Sequence, residues 1–238
     1  MLTEREIAER LTAVRFRIDA ALRRAGRDPK STGGEGPANG VRLVLASKTQ
    51  PPEAVRAAYR AGAREFGENY VQEAVAKRAA LADLGDIRWH LIGHLQSNKA
   101  RIAADTFNLI HSLDSVRLAT ALARARRSPP VLTLVEVNLG GEASKMGVAP
   151  DEVERLIDAA RAEVDIAGLM TIPPAGESLE RARPFFARMR EMRERLARAS
   201  GLALSELSMG MTDDFEIAIE EGATIVRVGR AVFGERTR

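Results

Sequence analysis

Arg42 to Gln50, RLVLASKTQ, begins with four apolar residues after its arginine, Leu43 to Ala46, of the length and branching expected of a strand buried on both faces. Lys48 closes that strand, which is predicted over Arg42 to Lys48. A lysine is costly to desolvate. At the end of a buried strand it either reaches solvent along its aliphatic stem or is placed there to react, and at this point both readings stand. Pro51 and Pro52 stop the strand, and Glu53 to Gly62 (EAVRAAYRAG), rich in helix formers and ending on glycine, reads as a helix. Lys48 therefore marks a strand-to-helix junction, where α/β proteins build their sites.

The same grammar of apolar run, polar or glycine turn and amphipathic segment repeats down the chain. Further strands are predicted at Glu65 to Gly67, Arg88 to Gly93, Phe107 to Ser112, Val131 to Asn138, Ile166 to Ile172, Glu206 to Gly210 and Thr224 to Gly229. Helical patterns separate them at Glu53 to Ala61, Val71 to Leu84, Asn98 to Asp105, Ser115 to Arg126, Pro150 to Glu163, Leu179 to Ala199 and Asp213 to Glu220. Upstream, Ile7, Leu11, Val14, Ile18 and Leu22 recur at helical spacing between Thr3 and Ala25. Asp28 to Gly40 (DPKSTGGEGPANG) is a loop by composition and is expected to be flexible. Strands and helices alternating eight times predict a (β/α)8 TIM barrel with an extra N-terminal helix, all in a single domain over 1–238, with a doubly wound open sheet as the alternative.

Composition narrows the function. Among 238 residues there is no cysteine, hence no disulfide, thiolate nucleophile or cysteine metal site, and three histidines, His90, His94 and His111, are too scattered for a zinc motif. Basic and acidic residues, 36 and 33, alternate in sign along helices such as Arg181 to Arg198, so the charge reads as solvated faces and no nucleic-acid partner is expected. No apolar run suits a bilayer, and MLTEREIAERL reads as an amphipathic helix and not as a signal peptide, so a cytoplasmic protein with no membrane partner is expected.

In a barrel, function belongs at the C-terminal ends of the strands. Those positions hold Lys48, Gly67-Glu68-Asn69, Gly93-His94, Ser112, Asn138, Met170-Thr171, Ser208-Met209-Gly210 and Gly229-Arg230. The natural partner of a desolvated lysine amine is a carbonyl, of a substrate or of pyridoxal phosphate. Loops after strands seven and eight often bind phosphate, which suits the Ser208 hydroxyl and the close backbone approach that Gly229 allows. Asp213 and Glu216 stand at capping-box spacing, so the same segment also reads as a helix start. Arg227 shares strand parity with Gly229 and would need an acceptor inside the barrel: a ring nitrogen, a carboxylate or an ordinary ion pair. Asn69 and Ser97 are explained as helix caps, and His90 as an interior histidine with its bonds made.

Several stretches together resemble the pyridoxal-phosphate homeostasis protein family, the YggS/PROSC proteins. They are SKTQP at Ser47 to Pro51, FGENYVQEA at Phe66 to Ala74, WHLIGHLQSNK at Trp89 to Lys99, SKMG at Ser144 to Gly147, GLMTIP at Gly168 to Pro173, LSMGMTDDFEIAIEEGATIVRVG at Leu207 to Gly229 and FGER at Phe233 to Arg236. The resemblance implies the barrel domain of alanine racemase standing alone, a fold of the third pyridoxal-phosphate type, with pyridoxal 5'-phosphate (PLP) as cofactor. It implies a Schiff base on Lys48, phosphate contacts from Ser208, Gly229 and the Arg230 backbone N–H, Arg227 facing the pyridine nitrogen, and Asn69, Met170 and Met209 lining the ring. A second racemase domain is not expected after Arg238, and Tyr59 and Tyr70 are poor substitutes for its catalytic tyrosine. The expected function is that of a monomeric carrier in PLP, vitamin B6 and amino-acid homeostasis, without an established reaction, passing the cofactor to PLP-dependent apoenzymes. The alternatives are a PLP-dependent amino-acid racemase or related enzyme, and a phosphate-sugar enzyme using Lys48 without cofactor.

Overall fold

The computed structural model describes residues 2–28, 40–125, 129–142, 146–174 and 179–235. Most of the expected flexible loop, Ser144-Lys145 of the SKMG stretch and the final Arg236 of FGER lie outside them. The eight strands are β1 Arg42–Ala46, β2 Glu65–Glu68, β3 Arg88–Leu91, β4 Leu109–Leu113, β5 Leu132–Glu136, β6 Asp165–Met170, β7 Glu206–Met211 and β8 Ile225–Val228. They pair in parallel, in sequence order, and β8 closes on β1. This is the expected (β/α)8 barrel, and the open-sheet alternative falls because both edges are joined.

The helices are α1 Glu4–Arg24, α2 Pro52–Arg60, α3 Val71–Ala80, α4 Ala100–Thr106, α5 Val116–Ala123, α6 Val153–Ala160, α7 Arg183–Ser200, α8 Phe215–Glu220 and α9 Arg230–Phe233. Helix α1 begins with a complete capping box, Thr3 and Glu6 satisfying each other's backbone N–H. Its apolar stripe, Ile7, Leu11, Val14, Ile18 and Leu22, is buried among α2, α8 and α9, where it closes the outer ring of helices.

Alternation along the strands sorts the side chains into two layers. Leu45, Phe66, Leu91, Ile110, Val135, Leu169, Leu207, Met209, Val226 and Val228 face the helices in the large outer core. Val44, Leu109, Leu134, Met170 and Ile225 form a small apolar cluster inside the barrel. The rest of the interior is polar: His90, His111, Ser208 and Arg227 are all buried there. At the N-terminal end, Arg42 pairs with Glu206 at 2.7 Å and Arg88 with Glu65 at 3.3 Å. Among the described residues no helix is long and apolar enough to cross a membrane, and no group of histidine and acidic side chains could hold a metal ion.

Candidate functional site

Strand β1 ends two residues earlier than predicted, and Lys48 occupies a turn, Ser47 to Gln50, at the barrel mouth. The Ser47 N–H still donates to the Gly67 carbonyl (2.9 Å), and the Gln50 N–H closes the turn on the Ser47 carbonyl (3.0 Å). On its other side stands Gly229 at the end of β8. A Cβ there would lie 3.1 Å from the Ala46 carbonyl oxygen, so the two strand ends touch through backbone. Lys48 and Gly229, distant in sequence, are thus neighbours by the β1–β8 closure.

Asn69 follows β2 and, with Glu136, Asn138, His94, Ile92 and Ile172, lines a cavity of about 240 Å³ at the mouth. It is not a helix cap: the N-cap of α3 is Tyr70 and no side chain caps it. Ser97 likewise opens a short 3-10 turn without a capping bond. The Asn69 Oδ1 atom is buried without a hydrogen-bond partner, the condition of a group that a polar ligand would satisfy.

Arg227 is buried inside the barrel, on the face away from Val226 and Val228, as strand parity requires. The acceptors it has within the chain are none of the three weighed from the sequence. Nη1 donates to the Ser208 carbonyl (3.0 Å) and hydroxyl (2.5 Å), and Nη2 to the Thr171 carbonyl (2.9 Å). Burial pushes its pKa down to about 10, opposed by the Glu136 and Asp214 charges, so the guanidinium remains a cation at neutral pH.

Ser208, expected to contact the phosphate, stands at the end of the barrel interior. It is fully buried, and its hydroxyl lies between Arg227 and His111 Nδ1 (2.9 Å). His111 Nε2 meets His90 Nδ1 (2.9 Å), and His90 Nε2 meets Glu65 near the barrel floor. Burial holds both imidazoles below their usual pKa, His111 well below. Burial also pushes Glu65 up, but the His90 bond and the nearby charges of His90, Arg88 and Arg42 outweigh it, and its carboxyl lies below the ordinary range. With neutral rings and an ionised Glu65, one assignment of hydrogens satisfies every link: Arg227 donates to Ser208, Ser208 to His111, His111 to His90, and His90 to Glu65. His90 is the interior histidine the sequence suggested.

The remaining candidates divide. Met170 packs inside the barrel beneath the mouth. Met209 faces the helices, so β7 turns Ser208 and not Met209 inward, and a ring-lining place for Met209 is not what the strand provides. Arg230 begins α9 with its side chain on the surface, bonded to Asp213 and 3.5 Å from Glu235, so any inward contact from it is through backbone. Asp213 and Glu216 form no capping box; the N-cap of α8 is Asp214, whose Oδ1 accepts from the Met211 N–H at 2.6 Å.

Glu136, at the end of β5, is the group the sequence reading missed. Burial, reinforced by Asp114 and opposed by Arg227, raises its pKa to about 7. A carboxyl whose folded pKa is raised binds a proton that the unfolded chain has lost, so its ionisation costs stability as pH rises from about 4.5 to about 7. Glu136→Gln is therefore expected to melt near wild type at about pH 5 and to gain on the order of 3 kcal/mol over wild type at about pH 8. Denaturant melts at the two pH values check this, and equal differences at both would reject it.

The family model described as alanine racemase, N-terminal domain, matches residues 38–237. The pyridoxal phosphate homeostasis protein of Aquifex aeolicus is 47% identical over 232 residues, covering 96% of this chain and 97% of that protein. Its counterpart in Pseudomonas aeruginosa is 44% identical over 234 residues, covering 97% and 96%. The solved structure of PipY from Synechococcus elongatus with PLP bound superposes with a TM-score of 0.79 at 38% identity, covering 96% of this chain and all of that one.

Proposed function

The chain belongs to the pyridoxal phosphate homeostasis proteins, within the alanine racemase N-terminal domain family, and from that premise we propose that it binds PLP at the barrel mouth with Lys48 as the covalent attachment point. It holds the cofactor for intracellular vitamin B6 and amino-acid homeostasis, as a monomer in the cytoplasm, and gives it up to apoenzymes that need it. The observation that carries this reading is the convergence at one mouth of the Lys48 turn, the Gly229 backbone and the unsatisfied Asn69 Oδ1 above a buried arginine.

Bound PLP supplies an aldehyde that condenses reversibly with an amine and a ring that withdraws electrons. The protein's part is to bind and orient. Gly229 and the Arg230 N–H are the backbone candidates for the phosphate, and Asn69 and Met170 for the ring. Arg227 is the candidate neighbour of the ring nitrogen; a guanidinium there disfavours nitrogen protonation and weakens the ring as an electron sink. Ser208 and Thr171 hold that guanidinium in place. Such a site favours holding the cofactor over turning substrates.

The test is an absorption spectrum of the protein with added PLP, followed by borohydride reduction and peptide mapping. A visible band with the label on the Lys48 peptide is expected, and its absence would favour the cofactor-free phosphate-sugar reading. One observation favours a second reading, amino-acid racemisation: Glu136, with a pKa of about 7, can exchange protons at the mouth at neutral pH. Incubating the holoprotein with L- or D-alanine in deuterated water decides between them. Sustained α-proton exchange that Glu136→Gln removes would establish the enzyme and end the carrier reading.

A further inference from the structure

The turn that carries Lys48 is held from behind by a buried charged cluster. Thr49, its third residue, has φ +65°, in the left-handed region that a turn of this kind normally gives to glycine and that a β-branched residue resists. Two residues of α3 bracket it. The Lys77 ammonium donates to the Ser47 carbonyl (2.6 Å), to Glu68 Oε1 (2.8 Å) and to Glu73 Oε1 (2.7 Å). That Glu73 oxygen also accepts the Thr49 N–H (2.6 Å), and Glu68 Oε1 the Ser47 hydroxyl (2.6 Å). Lys77 is only 4% exposed and Glu68 not at all. The first residue of the turn, through the Ser47 carbonyl, and the third, through the Thr49 N–H, are thereby fixed to one ammonium and its carboxylate partners.

A buried lysine with three oxygen acceptors is costly to desolvate, and packed apolar residues in place of the whole cluster would stabilise the same helix at least as well, whereas loss of the lysine alone leaves its carboxylate partners uncompensated. Strained backbone persists where its surroundings over-determine it. We infer that Lys77 and Glu73 are positioning residues for Lys48: they keep the Ser47–Gln50 turn in its left-handed form, so that the Lys48 amine is presented to the barrel mouth without either residue touching the cofactor. This inference rests on Lys48 being the attachment point.

The test measures the rate of appearance of the borohydride-fixed Lys48 adduct on mixing protein with PLP, together with the thermal midpoint. Lys77→Met is expected to slow adduct formation about tenfold, the effect of a turn that relaxes by about 1.4 kcal/mol into another conformation. Adding Thr49→Gly, which takes positive φ without strain, should restore most of the rate and leave the lowered midpoint unrestored. A wild-type rate in Lys77→Met, or a double variant as slow as the single one, would overturn the inference. Should Lys77→Met fail to fold, Glu73→Ala, which removes the acceptor of the Thr49 N–H from a partly exposed site, carries the same comparison: slowing rescued by Thr49→Gly supports the inference, and an unchanged rate overturns it. If the wild-type protein itself forms no adduct on Lys48, the failure belongs to the cofactor reading.

Discussion

Lys48→Ala is expected to abolish the visible band and the borohydride-fixed label completely while leaving the fold intact. The sequence has five lysines, Lys30, Lys48, Lys77, Lys99 and Lys145, so the labelled peptide can be assigned without ambiguity. Lys77 stands directly against the Lys48 turn, and its amine is occupied by three oxygens in a buried cluster, so it does not replace Lys48 as a nucleophile. Lys48 sits in a half-buried turn outside the strand ladder, and its truncation removes no core packing, so the thermal midpoint should stay close to wild type. A label that persists at wild-type stoichiometry in Lys48→Ala would remove the residue from its assigned role.

The second large effect is on the fold. A Cβ at Gly168, in β6, would lie 1.9 Å from the carbonyl oxygen of Glu206 and 2.6 Å from its carbonyl carbon on the paired strand β7. Both are backbone atoms of a closed sheet and cannot swing aside, so Gly168→Ala must separate β6 from β7. The cost, about 4 kcal/mol or more, is comparable to the whole stability of many domains, and little folded protein is expected. Gly85→Ala is the control, since its Cβ would meet nothing within 4 Å. Circular dichroism melts of the two variants read the difference; a Gly168→Ala protein melting within a few degrees of wild type would contradict this strand register.

The architecture was legible because each strand announces itself locally. Apolar runs such as Leu43 to Ala46 and Val131 to Val135, punctuated by glycine, proline and amphipathic segments, placed all eight strands within a few residues. The ends ran long at Lys48, Gly93, Asn138 and Ile172 because an apolar or polar residue just past a strand looks the same as one within it. The mouth positions followed from barrel geometry, and strand parity correctly turned Arg227 inward. What could not be read were pairings across the barrel. Ser208 and His111 meet from 97 residues apart, and nothing near Ser208 in sequence says that its hydroxyl is already taken. Glu136 sits in LTLVEVN, where a glutamate in an alternating strand looks solvent-facing; only the closed barrel buries it. Thr49, between a lysine and a glutamine, carries no local mark of a left-handed backbone, because the glutamate and the lysine that enforce it belong to the following helix unit.

The hydrogen-bond chain from Arg227 to Glu65 runs in one direction along its length, every donor pointing toward the barrel floor. A proton cannot hop along it and leave it ready for another without each imidazole and the hydroxyl reversing, and close packing makes such a reversal slow. The neutral links therefore keep the Arg227 guanidinium and the Glu65 carboxylate from trading protons through the barrel axis, and proton exchange at the ligand end is left to Glu136, whose pKa of about 7 makes the potential there follow the solvent at the mouth.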